Sequence, residues 1–167
     1  MINPEKLKLL ATDQKKQNKD FLRQLKKTRP RDLDDLVHQK HDEIFAIINC
    51  LECANCCKSI SPIVSDKDIQ RIAGHLKTKP AEFTRKYLQI DDEGDYIFKE
   101  TPCPFLMPDN YCMIYEKRPK ACREYPHTAR RRFYQLLQLS LKNSFICPAV
   151  FQILIDLRDK FKKKGDS

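Results

Sequence analysis

Apolar residues recur at three- and four-residue intervals along much of this chain, the spacing that places them on one face of an α-helix. Residues 32–48 show this pattern clearly, and the acidic Asp34 and Asp35 suit the positive end of a helix dipole. We therefore predict an amphipathic helix here that leads directly into a cluster of cysteines. Residues 1–30 have looser helical spacing and predict a peripheral helix, or a pair of helices, ending near Pro30.

Capping signals predict two short helices in the middle of the chain. Ser65 is followed by an acidic first turn, which is typical of an N-cap, and the helix is expected to run through Leu76. A second helix is expected over residues 80–88, because Thr78 can cap it and a proline stands in its first turn.

The predicted β-structure is small. Residues 91–95 (DDEGD) are typical of a turn, and residues 96–98 form a short strand candidate rich in β-favouring side chains. We expect residues 111–115 to pair with this strand through a proline-rich connection, which would complete a hairpin.

The last third of the chain predicts three more helices. Pro119 is expected to start a short helix that carries Cys122, and longer helices are expected at about 129–142 and 148–163. The fold class is therefore mainly α with a small β-hairpin. Because 167 residues suit one domain with a sizeable core, we predict a single metal-organised domain.

Within that domain the sequence suggests three parts. Residues 1–30 form an N-terminal basic helical extension, residues 31–150 form the cysteine-cluster metal-binding domain, and residues 151–167 form a C-terminal helix and basic tail of the same domain.

The net charge of +9 lies towards the two ends of the chain. Residues 129–167 carry +6 and residues 1–45 carry +3, whereas the stretch between them is neutral. Such basic segments can bind nucleic acid, but without a recognised nucleic-acid module a solvated face is the favoured interpretation. Three scattered glycines exclude the common nucleotide-binding loops, and no apolar run approaches the ~20 residues of a membrane span.

Eight cysteines are the unusual feature of the composition. The first twenty residues lack the apolar segment and cleavage site of a secretory signal, so we expect a cytoplasmic protein. Disulfides are rare in that reducing compartment, where dense cysteine patterns more often bind metal.

Four of the cysteines lie within eight residues, as Cys50, Cys53, Cys56 and Cys57. Thiolates separated by two residues can turn back onto one metal ion, as in zinc and iron–sulfur sites. The pattern indicates metal without choosing between zinc and iron.

The adjacent pair Cys56 and Cys57 suggests a further hypothesis. Neighbouring side chains diverge from the backbone, so two adjacent thiolates do not easily occupy corners of one tetrahedron. The two residues would then serve different metal centres, or one of them would not be a ligand. Eight thiols match two four-coordinate sites, or one cluster with spare ligands.

Three separated motifs resemble a known family. The run CxxCxxCC is followed by PCPFL around Cys103 and by YCMIYEKRPKACREYP, which carries Cys112 and Cys122. In this order, over about residues 45–150, they are similar to the CxxCxxCC or YkgJ-like cysteine-cluster proteins, a family of zinc- or iron-chelating domains. The resemblance implies one chelating set of the following residues: Cys50, Cys53, Cys56, Cys57, Cys103, Cys112, Cys122 and, by a looser match, Cys147.

The function expected on this basis is chelation of zinc or iron through up to eight thiolates, with any enzymatic role left open. The alternative is an iron–sulfur enzyme or electron carrier with a [4Fe–4S] cluster, since some larger relatives resemble flagellin lysine methylases that have an iron–sulfur centre. The partner expected is a metal ion, and a nucleic-acid or protein partner stays open.

Two arginines flank Cys122. Arg118 and Arg123 can donate N–H bonds to thiolate sulfurs and offset their negative charge. Equally, they can pair at the surface with Glu116 and Glu124.

Overall fold

The computed structural model describes residues 3–165, and by their contacts they form two compact units. The first unit comprises the chain up to Asn49 and from Pro126 onwards, and the second comprises Cys50–Tyr125. The helices are α1 (Pro4–Thr28), α2 (Leu33–Phe45), α3 (Cys50–Cys53), α4 (Asn55–Ser59), α5 (Asp66–His75), α6 (Pro80–Tyr87), α7 (Lys120–Glu124), α8 (Leu137–Asn143) and α9 (Pro148–Gly165). The strands are β1 (Leu88–Ile90) and β2 (Tyr96–Phe98). The prediction of a mainly helical chain with a small hairpin is confirmed.

The first unit packs α1, α2, α8 and α9 around an aliphatic core. Leu25 of α1, Val37 of α2 and Leu154 of α9 are each at most 1% exposed and belong to one buried cluster. α1 is a single continuous helix, and its apolar side chains form part of this core.

The predicted helix over residues 129–142 is wrong at its N-terminal end. α8 begins only at Leu137, after a left-handed Arg132 (φ 60°) and a 3₁₀ turn at Phe133–Gln135. The carboxylate of Asp34 explains the late start, because it accepts hydrogen bonds from the backbone N–H groups of Arg132 (2.6 Å) and Phe133 (2.8 Å). These contacts hold the chain in a turn.

The second unit contains the hairpin, but its strands are not the predicted pair. β2 pairs antiparallel with β1, with Leu88 opposite Phe98, so the predicted pairing with residues 111–115 is wrong. The connecting turn explains the choice, since Asp91 Oδ1 accepts from the N–H groups of Glu93 and Asp95 (3.0 and 2.9 Å). A local turn costs less loop-closure entropy than a long connection.

α5 starts where its capping signal predicts. Ser65 and Asp68 exchange hydrogen bonds in a full capping box, and the helix runs to His75. Behind it lies an aromatic core in which the Phe105 ring centroid is 5.0 Å from that of Tyr87 and 5.5 Å from that of Phe98. Across the described part of the chain, no helix is both long and apolar enough to cross a membrane.

Candidate metal centre

The first cysteine run is folded as two very short helices separated by a single residue. Cys50 and Cys53 bound α3, and Cys56 and Cys57 lie in α4. Between the helices Ala54 adopts a left-handed conformation (φ 45°) with its side chain 3% exposed. This local reversal lets a CxxCxxCC run bend instead of continuing as one straight helix.

The adjacent thiols do not diverge as the sequence suggests. The Sγ atoms of Cys56 and Cys57 lie 4.0 Å apart. Four thiolates at ~2.3 Å from one zinc ion have neighbouring sulfurs ~3.8 Å apart in a tetrahedron. The spacing is therefore compatible with one shared centre, and the geometric premise for two centres is not met.

The backbone brings the second cysteine motif to the first. The N–H of Cys103 donates to the carbonyl oxygen of Cys57 over 2.8 Å. Phe105 is 1% exposed in the aromatic core, and its carbonyl oxygen accepts from the N–H of Met113 over 2.9 Å. An isolated bridge also pairs Leu106 with Cys112. Core packing beside the motif thus fixes Cys103 and Cys112 relative to Cys57.

Burial sets the acidity of the surrounding thiols. With a smaller contribution from the charge of the neighbouring Cys57, it raises the pKa of Cys103 to about 11 and that of Cys122 to about 12. Burial also raises the pKa of Cys50 and of Cys112, again with a contribution from Cys57. Cys57 is therefore the common electrostatic neighbour of four other thiols that come from separate segments.

Cys57 itself has a lowered pKa of about 7. The hydrogen bond with Cys56 is the main cause, and it outweighs the opposing effect of burial. The charges of Arg118 and Lys58 lower it further. At neutral pH a thiolate is thus accessible at the centre of the group, as metal binding requires.

Arg118 is the cation whose charge acts on the largest number of these thiols. Its positive charge lowers the pKa of Cys50, Cys57, Cys112 and Cys122. The guanidinium carbon lies 3.7 Å from the centroid of the Tyr115 ring, and Nη1 donates to the carbonyl oxygen of the same residue over 3.1 Å. Arg118 is therefore held in place where it can offset negative charge on sulfur.

Arg123 has a different role. Its Nη1 donates to the carbonyl oxygen of Arg118 over 2.9 Å, which supports the backbone of that residue. Glu124, which the sequence offered as a partner for an arginine, has Lys120 Nζ 3.5 Å from its carboxylate.

A buried carboxylate outside the cysteine motifs positions this segment. Asp68 is 2% exposed and accepts from Ser65 Oγ (2.6 Å), from Arg71 Nη2 and from the backbone N–H of Lys120 (3.1 Å). Arg71 Nη2 also donates to the carbonyl oxygen of Arg118 over 2.9 Å. Burial raises the pKa of Asp68, but these hydrogen bonds outweigh it and hold the pKa below its usual value.

Sequence reasoning missed this carboxylate as a site residue. The capping motif relates Asp68 to Ser65, but nothing in the sequence relates it to Lys120, 52 positions away. The signal available in the sequence was that Asp68, a charged residue, lies on the otherwise apolar side of α5.

The predicted set divides between the two units. Seven cysteines lie in the second unit, whereas Cys147 belongs to the first, where it precedes α9 and packs against the aliphatic core. None of the eight is in a disulfide. Within residues 3–165 no three His, Cys, Asp or Glu side chains have the arrangement of a metal site. The available donors are cysteine sulfurs, which suit zinc and iron once they are ionised.

The two histidines of α2 contact residues of the segment that precedes α8. His41 Nδ1 is 2.7 Å from Thr128 Oγ1, and burial lowers the pKa of this imidazole. His38 Nε2 lies 3.3 Å from the carbonyl oxygen of Arg130. Both contacts are made within the first unit.

Comparison with known proteins identifies one family model, described as "Putative zinc- or iron-chelating domain", that matches residues 49–144. An uncharacterized protein of Methanocaldococcus jannaschii, MJ0661, is 33% identical over 87 residues. That match covers 50% of this chain and 47% of the archaeal protein, so the chain spans about half the length of this relative. No solved structure matches the chain.

Proposed function

Because this chain belongs to the CxxCxxCC family of zinc- or iron-chelating domains, we propose that thiolates of its second unit bind zinc or iron and that the metal has a structural role. The observation that carries the proposal is the position of Cys57. Its charge acts on Cys50 of the same CxxCxxCC run and on three thiols from distant parts of the sequence: Cys103, Cys112 and Cys122. Cys53 and Cys56 belong to the same two short helices as Cys50 and Cys57.

The negative charge that forms when these clustered thiols ionise is the physical reason why they need a metal. Burial, and to a smaller extent repulsion from neighbouring thiolates, disfavours ionisation and so raises the pKa values of Cys103 and Cys122. A divalent ion reverses this repulsion and stabilises the ionised form of each ligand. Arg118 offsets part of the charge that remains.

The proposed ligand set can be assigned to one centre or to two. The 4.0 Å separation of Cys56 Sγ and Cys57 Sγ supports one centre that includes both. The complete set predicted by the family resemblance also includes Cys147, which belongs to the first unit. The presence of two centres and the participation of Cys147 remain predictions. The ratio of metal to chain, measured in the unmodified protein and in cysteine variants, can decide them.

The energetic consequence of metal binding is large. Structural zinc contributes on the order of 10–16 kcal/mol of apparent binding energy in small domains. The net stability of a domain is typically only about 5–15 kcal/mol. A metal that joins α3, α4 and the segment around Cys103 would therefore determine whether the second unit folds.

The decisive experiment combines anaerobic purification, elemental analysis and an absorption spectrum. We expect zinc or iron that copurifies at a fixed ratio to the chain, and its loss in Cys57→Ser and in Cys103→Ser. A colourless zinc protein supports the structural role, whereas a broad band near ~400 nm identifies an iron–sulfur cluster. Full metal content in both variants would contradict the proposal.

Cys147→Ser is the matched comparison for these variants. Lost metal assigns Cys147 to the ligand set, and unchanged metal content restricts the set to the second unit.

The eight cysteines are not in disulfides, which is typical of a reducing compartment, and we propose the cytoplasm as the location of the protein.

A further inference from the structure

A basic cavity of about 420 Å³ lies within the first unit, in the helical part of the chain that has no cysteine motif. Four of the residues that line it are cations: Lys19, Arg23, Lys26 and Arg29. The volume is within the range of small-molecule pockets, which is roughly 300–1,000 Å³. The cavity is therefore large enough to hold a compact organic anion.

Helix stability does not account for this arrangement of charges. Lys19, Arg23 and Lys26 are three and four residues apart, so they lie on one face of α1, where like charges destabilise a helix. Arg23 pairs with Asp20 at 3.2 Å. Among residues 3–165, Lys19 and Lys26 have no ion pair.

The charge distribution of the whole chain points to the same unit. The first unit contains 20 Lys and Arg against 11 Asp and Glu, which is the entire net charge of +9. The second unit, with 12 of each sign, is neutral. Positive potential therefore originates in the unit that contains the cavity, and such a field attracts anions.

One cation is held in position at the end of α1. Arg29 has a left-handed backbone (φ 42°), and its N–H donates to the carbonyl oxygen of Leu25 over 2.9 Å. Its guanidinium carbon lies 5.2 Å from the centroid of the Tyr134 ring, and the hydroxyl of that tyrosine accepts from Gln135 Nε2 over 3.2 Å. Stacked guanidinium groups keep their N–H donors available for an anion.

The other residues that line the cavity are suited to a different chemical group. The buried Leu22 and Leu137 and the half-buried Tyr134 supply apolar surface, and Gln138 adds an amide that can both donate and accept hydrogen bonds. A cavity lined both by cations and by apolar and amide groups suits a ligand that carries phosphates and a heterocyclic base.

We propose that this cavity binds a nucleotide, with its phosphates on Lys19, Arg23 and Lys26 and its nucleoside against Tyr134 and Leu137. The nucleotide can be free or can be one unit of a single-stranded nucleic acid, because both offer the same phosphate and base. Within the described part of the chain, the residues that line the cavity do not include Arg130, Arg131 or Arg132 of the basic C-terminal segment.

The test measures binding of ATP, AMP, adenosine, inorganic triphosphate and a short single-stranded RNA to the full-length chain by calorimetry at about 50 mM salt. We expect saturable binding of ATP that weakens from ATP to AMP to adenosine and declines with added salt. Tighter binding of the RNA than of ATP identifies nucleic acid as the source of the nucleotide, and the reverse identifies a free nucleotide.

Matched variants locate the site. The double variant Lys19→Gln, Lys26→Gln removes two cavity cations and should weaken ATP binding about tenfold or more, because two charge-assisted contacts to phosphate are lost. The double variant Lys16→Gln, Lys27→Gln removes the same charge from exposed positions of α1 outside the cavity and should change binding by less than about twofold. Circular dichroism checks that both remain folded.

Three results would overturn the proposal. The first is no binding of ATP or RNA to the unmodified chain, and the second is an equal loss in the two double variants. The third is binding of inorganic triphosphate as tight as that of ATP, because the nucleoside would then contribute nothing.

Discussion

The carboxylate of Asp68 accepts a hydrogen bond from the backbone N–H of Lys120 over 3.1 Å, although the two residues are 52 positions apart in the chain. Lys120 is the first residue of α7, the helix that carries Cys122. Through Arg71 the same carboxylate is connected to the carbonyl oxygen of Arg118. A group that is not itself a candidate ligand therefore positions a candidate ligand and the nearby cation.

Replacing this carboxylate tests its positioning role. We expect Asp68→Asn to lower the free energy of unfolding by about 2–3 kcal/mol, because buried donors lose a charged acceptor. Metal should also be lost faster to a chelator. Asp66→Asn is the matched control, since Asp66 lies in the same first turn of α5 but is exposed. Urea unfolding compares them, and equal effects of the two substitutions would contradict the role.

The stabilisation by Asp68 should depend on pH in a defined direction. Because folding lowers the pKa of this carboxyl, its stabilising effect is complete above the unfolded pKa of about 4 and is lost as the pH falls through the folded value. The difference in unfolding free energy between the unmodified chain and Asp68→Asn should therefore be constant from pH 7 to pH 5 and should shrink below about pH 4. A difference that widens on acidification would show that the sign is wrong.

Arg118 should affect metal retention more than its neighbours do. Removal of its charge in Arg118→Gln leaves the thiolate group more negative, and we expect metal transfer to a chelator to become about tenfold faster, as a lost charge-assisted contact implies. Lys117→Gln removes the same charge one position away and is the control. Metal release is followed with a chromogenic chelator. Equal rates for the two variants would leave Arg118 without a specific electrostatic role.

Metal removal should affect the two units differently. The first unit has its own aliphatic core, which includes Val37, Ile153 and Leu154, so its helices α2 and α9 should keep their protection from amide exchange. Residues 50–60 and 103–124 contain the seven clustered cysteines and should lose protection when the metal is stripped. Hydrogen–deuterium exchange with mass spectrometry measures both regions. Protection that is unchanged in the cysteine segments would exclude a structural role for the metal.

The aromatic core beside Cys103 should be necessary for the candidate site. Phe105→Ala leaves a cavity next to Phe83, Tyr87 and Phe98, and we expect a loss of about 3–5 kcal/mol in stability. Metal content should fall with it. Tyr111→Ala is the control, because this ring is 49% exposed and its removal should cost less than about 1 kcal/mol. Thermal and urea unfolding distinguish the two outcomes.

Features that depend on adjacent residues could be predicted from the sequence. The capping box of Ser65 and Asp68 marks the start of α5, and Pro119 precedes α7 as expected. Both signals act within one helical turn, where side chain and backbone are necessarily close. The order of the three cysteine motifs was likewise sufficient to identify the family.

Features that depend on distant partners could not be predicted. The start of α8 is delayed by Asp34, which is 99 positions from Phe133. The contact between Asp68 and Lys120 has no sequence signal either, and the basic cavity is lined by two segments that are more than 100 positions apart, one with Arg29 and the other with Tyr134. Propensity and periodicity describe each segment separately, so a hydrogen bond between segments can override them.

The hydrogen bond from Cys103 to Cys57 joins two residues separated by 46 positions, and α5, α6 and both strands lie between them. A metal held by thiolates on both sides would close this stretch into a ring. For a ring of about that size, a covalent cross-link reduces the entropy of the unfolded chain by the equivalent of about 4 kcal/mol. The ion would therefore stabilise helices that it never touches, by restricting the conformations open to the unfolded chain, and its release would loosen every element in the ring at once.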